Sequence, residues 1–83
     1  MKKIKIFWQP ECPKCPKVKE LGEALKSEGY EVEMFNTKEI DGLTESVYYD
    51  VLSTPSVVIV DEAGKKASWL GEVPDVKSIK DLL

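Results

Sequence analysis

Cys12 and Cys15 are the only cysteines in the chain, with Pro13 and Lys14 between them. Two thiols at that spacing can close a small disulfide ring. They follow a short apolar stretch that reads as a strand and precede a segment that reads as a helix. A helix N-terminus favours a thiolate over a thiol. A pair used only as a staple needs neither neighbour, so the arrangement points to redox chemistry. Structural zinc usually takes four ligands, and this chain offers two cysteines and no histidine. A structural zinc site would have to be shared between two chains.

Composition narrows the field further. The 83 residues suit one domain, 1–83, with 42% apolar and 33% charged residues, which is ordinary for a globular protein. Net charge is −3 and arginine is absent, so phosphate recognition and nucleic-acid binding are not expected. The lack of histidine removes the commonest general base and leaves the chemistry to thiols and backbone dipoles. No apolar run approaches the ~20 residues of a membrane span. Met1-Lys2-Lys3-Ile4-Lys5-Ile6 is basic and alternating, unlike a signal peptide. A cytoplasmic monomer without membrane contact is expected, a setting where CxxC is more often catalytic or metal-binding than a permanent disulfide.

The elements that must position the pair follow from periodicity. Residues 3–8 alternate as a first strand, and Val18, Leu21 and Leu25 mark a helix from about Pro13 to Glu28. Gly29 is placed to end it as a left-handed residue. Pro13 suits a first helical turn, whereas Pro16 biases the start toward itself, with a tight turn before it. Glu31–Phe35 reads as a second strand, and parallel pairing sets Lys3 and Lys5 beside Glu31 and Glu33. Asp41 or Thr44 is the expected cap of a second helix through Val51, with Leu43, Val47 and Val51 as its stripe. Val57–Val60 reads as a strand buried on both faces, turning at 61–65 into a hairpin partner over Lys66–Leu70. Asp75 is the expected cap of a short last helix carrying Val76, Ile79 and Leu83.

That order, β-α-β-α-β-β-α, with CPKC after the first strand and Ser53-Thr54-Pro55 before the third, resembles the thioredoxin/glutaredoxin superfamily. The resemblance covers essentially the whole chain. It implies an α/β, thioredoxin-like minimal fold: a four-stranded mixed sheet with helices on both faces. The length and the stretch Trp69-Leu70-Gly71-Glu72-Val73-Pro74-Asp75 are similar to small glutaredoxin-like, NrdH-type redoxins, although Glu72 and Val73 replace an aromatic residue and an arginine.

The resemblance implies a dithiol–disulfide oxidoreductase with no bound cofactor beyond a redox-active Cys12–Cys15 disulfide. Cys12, exposed at the helix N-cap, would attack; Cys15, one turn inward, would resolve. Such placement lowers a thiol pKa from ~8.5 to as little as ~3.5–7.5, with Lys14 and Lys17 adding positive potential and Glu11 opposing it. Pro55 would be cis, setting the Thr54 backbone beside Cys12 to pair with an extended substrate. Pro13, Lys14, Trp69 and Gly71 complete the expected substrate rim. A carboxylate at Glu72 repels glutathione, which favours recharging by a thioredoxin-reductase-type flavoprotein. The expected client is a disulfide-containing protein, ribonucleotide reductase among the candidates. Two alternatives stand: a glutathione-linked glutaredoxin, or a non-catalytic module holding a peptide or a soft ion such as Cu(I).

Overall fold

The computed structural model describes residues 2–83. Its elements are β1 (Lys3–Trp8), α1 (Cys15–Ser27), β2 (Glu31–Asn36), α2 (Ile40–Tyr48), β3 (Ser56–Asp61), β4 (Gly64–Leu70) and α3 (Val76–Lys80). The four strands form one mixed sheet in the order β2-β1-β3-β4. β1 runs parallel to β2 and antiparallel to β3, and β4 returns antiparallel to β3. This is the α/β, four-stranded arrangement expected from the sequence.

Strand alternation divides the interior in two. Ile4, Ile6, Val32, Val57 and Ile59 face one side, where Val18, Leu21 and Leu25 of α1 and Ile79 of α3 cover them. Phe7, Val58 and Val60 face the other side with Val51, flanked by Phe35 and Tyr49. Val57 to Val60 are buried throughout, as their β-branched run implies. Lys3 pairs with Glu31 and Lys5 with Glu33 in the parallel ladder, each with an ion pair at 3.2 Å. Lys5 also donates to Glu45 of α2 at 2.7 Å, which fixes α2 over the second face.

Both long helices end in the same way. At α1 the Gly29 N–H donates to the Lys26 carbonyl and the Tyr30 N–H to that of Leu25, with Gly29 at φ 91°. At α2 the Asp50 N–H donates to Val47 and the Val51 N–H to Ser46, with Asp50 at φ 57°. These paired bonds satisfy carbonyls that the helix leaves open. A non-glycine residue therefore occupies the left-handed position after α2, and the helix stops before reaching Val51.

The outward face of α2 corrects the expectation from spacing. Leu43 and Val47 were expected in the core, yet they are 55% and 68% exposed, and the helix buries Gly42 and Ser46 instead. A Cβ at Gly42 would collide with the Asn36 backbone carbonyl, so glycine is what lets the helix lie this close. Close approach of small residues has overridden the apolar stripe. The caps differ too: Glu39 is the N-cap, Asp41 lies in the first turn, and the Thr44 hydroxyl donates to the Ile40 carbonyl at 2.8 Å. Asp75 occupies the N-cap position of α3, but its carboxylate makes no bond to the helix backbone and instead accepts from the Ser78 hydroxyl at 3.0 Å.

Candidate active site

β1 delivers the chain to the cysteines, and β3 starts from the same end of the sheet. Phe7 pairs with Ser56, so the segment leaving β1 toward Cys12 lies beside the segment entering β3 through Thr54 and Pro55. Glu11 turns the chain with φ 68°, a conformation that L-residues other than Asn and Asp rarely adopt. Cys12 and Cys15 are joined by a disulfide, with their Cα atoms 5.3 Å apart. The Cys15 N–H donates to the Cys12 carbonyl at 3.2 Å, forming a tight turn that holds Pro13 and Lys14 exposed.

The helix does not begin where Cys12 was expected to cap it. Lys14 is the N-cap of α1, and Cys15 and Pro16 form its first positions. Proline lacks an N–H and fits only the first turn, where that group has no intrahelical partner, so Pro16 sets the start. Pro13 therefore lies in the preceding turn rather than in the helix. The two cysteines differ in exposure: Cys15 is 2% exposed among the core side chains, whereas Cys12 is only partly covered. Cys12 and Trp69, both partly buried, pack against the larger core.

The Thr54–Pro55 peptide bond is cis, with Pro55 buried and Thr54 half-buried. Among the described residues, neither the N–H nor the C=O of Thr54 has a main-chain partner. Sequence reasoning missed the residue that organises this loop. Ser56 is fully buried; its hydroxyl donates to the Ser53 carbonyl at 2.7 Å and accepts the Gly71 N–H at 3.1 Å. It thereby ties the segment before Pro55 to the bend after β4. Gly71 has φ 74°, and a Cβ there would lie 3.1 Å from the Ser53 hydroxyl oxygen, so both its conformation and the space suit glycine. The available signal was a lone hydroxyl directly after Pro55, in front of four β-branched residues.

Gln9, on the way to Cys12, shares a cavity with Ser53 and Thr54. Glu72 follows Gly71 and is exposed. Among the described residues no cluster of three or more histidine, cysteine, aspartate or glutamate side chains is placed to hold a metal ion. No helix among them is long and apolar enough to cross a membrane.

The comparisons agree with this geometry. A thioredoxin mutant from Halobacterium salinarum superposes with a TM-score of 0.83 at 20% identity, covering 98% of this chain and 70% of its own. Thioredoxin O2 from Arabidopsis thaliana, in the oxidised state, gives 0.78 at 17% identity, covering 99% and 71%. The reduced thioredoxin pre-protein of Schistosoma mansoni gives 0.79 at 12% identity, covering 98% and 74%. At such identities the likeness establishes the fold. No curated protein matches the sequence. The family described as "Thioredoxin domain" matches residues 2–83. The chain therefore belongs to the thioredoxin-domain family, and its Cys12–Cys15 disulfide makes it a thiol–disulfide oxidoreductase.

Proposed function

We propose that the protein is a small dithiol carrier that reduces protein disulfides, with Cys12 attacking and Cys15 resolving. The observation that carries the assignment is the unequal exposure of the two cysteines within one disulfide. An incoming sulfur reaches Cys12, whereas Cys15 is shielded and meets only Cys12.

In the reduced protein the Cys12 thiolate attacks one sulfur of the substrate. A Cys12–substrate disulfide forms, and the other substrate sulfur leaves as a thiolate and takes up a proton. The Cys15 thiolate then attacks Cys12 Sγ, forms the Cys12–Cys15 bond and expels the second substrate sulfur. Two electrons pass to the substrate, and a reductase returns two electrons and two protons. The open N–H and C=O of Thr54 supply main-chain partners for an extended substrate beside the reacting sulfur.

A thioredoxin-reductase-type flavoprotein is the reductant favoured by the exposed carboxylate of Glu72 beside Gly71, which disfavours anionic glutathione. The small NrdH-type subtype, a cytoplasmic setting and a ribonucleotide-reductase-like client belong to the same proposal. The test compares recovery of the dithiol with NADPH and thioredoxin reductase against NADPH, glutathione and glutathione reductase. Faster recovery through glutathione would reverse the choice of reductant. Cys12→Ser should abolish turnover, and Cys15→Ser should trap a mixed disulfide with substrate; turnover that survives Cys12→Ser would end the assignment of roles.

A further inference from the structure

Glu11 stands in a backbone conformation that its own side chain disfavours. Pro10 precedes it in the turn that follows β1, and its φ is 68°. A turn led by proline, with positive φ at the next residue, calls for glycine or asparagine there. No contact of the side chain offsets the strain. Glu11 is exposed, and among the described residues its carboxylate has no hydrogen bond or ion pair. Backbone strain of this kind gathers where a residue serves the chemistry.

What the side chain brings is a charge at a fixed place. Glu11 is bonded to the residue that carries the reacting sulfur, so no rotamer takes its carboxylate farther from Cys12 than about 10 Å, one Debye length at 0.1 M salt. The other charges around Cys12 divide by element. Lys14 is the N-cap of α1 and Lys17 lies in its first turn, which contains no acidic residue. Lys19 is drawn to the Trp8 ring at 3.7 Å. The segment from Ser53 to Ser56 carries no charge. Glu72 and Asp75 belong to the stretch after β4, where Val73 packs with Cys12 against the larger core. Glu11 is thus the carboxylate joined directly to Cys12, set against two lysines and the open N–H groups of the helix start.

Resting on the dithiol-carrier reading, we propose that Glu11 is kept in a conformation suited to glycine because its charge sets the direction of electron flow. It holds the Cys12 thiolate less stable than the lysines and the helix start alone would make it, which keeps the pair a reductant. Two electrons and two protons open the disulfide, and Cys12 then gives one proton to solvent. In the disulfide Cys12 carries no charge, so Glu11 acts on the dithiol state alone. A pair whose dithiol state is stabilised takes electrons readily and oxidises its partners. Destabilising the thiolate has the opposite effect, and it preserves the nucleophilicity that falls with thiol pKa. Glu11 is a positioning residue that acts through Cys12 without touching the substrate.

The reduced full-length protein and its Glu11→Gln, Glu11→Lys and Glu11→Gly variants are alkylated with iodoacetamide from acid to alkaline pH, and the modified cysteine is located by mass spectrometry. At low salt the Cys12 profile should move down by about 0.3–0.5 pH unit in Glu11→Gln and by about twice that in Glu11→Lys. The shift should shrink in about 1 M salt, where charges are screened within ~3 Å. In an alkaline dithiothreitol buffer the Glu11→Gln disulfide should be about two- to threefold easier to reduce, which is about 9–14 mV. Glu11→Gly should move the profile as Glu11→Gln does and also raise Tm by about 4–8 °C as the backbone relaxes. A profile that stays in place in Glu11→Gln, or a Tm that does not rise in Glu11→Gly, overturns the proposal and leaves the carrier reading standing. Alkylation that reaches Cys15 before Cys12 in wild type overturns the assignment of roles, and the proposal with it.

Discussion

Ser56→Ala removes one oxygen and disconnects two loops. In the native protein that hydroxyl donates to the Ser53 carbonyl at 2.7 Å and accepts the Gly71 N–H at 3.1 Å, at a fully buried position. An unsatisfied buried polar group costs about 1–3 kcal/mol. Ser53 is itself exposed, so its carbonyl regains water and the low end applies. Gly71 is only half-buried, which moderates the second loss as well. The two together come to about 2–3 kcal/mol, with no cavity term of note because a single oxygen is lost. With a urea dependence of about 1 kcal/mol per molar for a domain this small, the midpoint should fall by about 2–3 M. The functional signature is separate. Ser53 precedes Thr54, so loosening it blurs the main-chain position offered to substrate. KM for a peptide disulfide should rise several-fold with kcat little changed, while reduction of a small disulfide is affected least. A loss below about 0.5 kcal/mol together with an unmoved peptide KM would refute this account of Ser56.

Two further changes probe the frame. Burial opposes the charge on Lys5, but its hydrogen bond to Glu45, its ion pair with Glu33 and the charges of both carboxylates outweigh it and raise its pKa above 10.5. Lys5→Met should cost about 1–2 kcal/mol, discounted for the partial exposure of both carboxylates, and adding Glu33→Gln and Glu45→Gln should recover most of it, measured by urea melts. Because the folded pKa is the higher one, this contribution is complete below pH 10.5 and fades above it; wild type should lose more stability there than Lys5→Met does. Asp50→Gly relaxes a left-handed residue at φ 57° and should add about 1 kcal/mol, raising Tm by about 4–8 °C. A Tm that stays put or falls would show that the aspartate contributes something beyond backbone conformation.

How much of this could be read from residues alone depended on what decides each feature. β1, β2 and β3 declared themselves because alternation and a β-branched run leave few other ways to bury apolar side chains. Gly29 marked the end of α1, since its conformation there is a local need. The start of α1 was half legible: Pro16, with a tight turn before it, marked the opening, whereas Cys12 was expected at the N-cap that Lys14 holds. α2 misled for a different reason. Its apolar spacing matched a core stripe, but Gly42 and Ser46 allow a closer approach to the sheet than leucine and valine would. Ser56 was invisible because its partners lie three and fifteen residues away and meet only once the sheet has formed. Local rules read local features; contacts closed by tertiary structure need the fold first.

The contact between α2 and the sheet depends on Gly42, on Ser46 and on the ion pair from Glu45, none of which constrains the opposite side of the helix. Ile40, Leu43, Val47 and Tyr48 can therefore be exchanged as a set without disturbing the framework that holds Cys12 and Cys15. The side of α2 that holds it to the sheet and the side turned to solvent are thus built from separate residues, so the outer face can vary in sequence while the frame around the disulfide stays as it is.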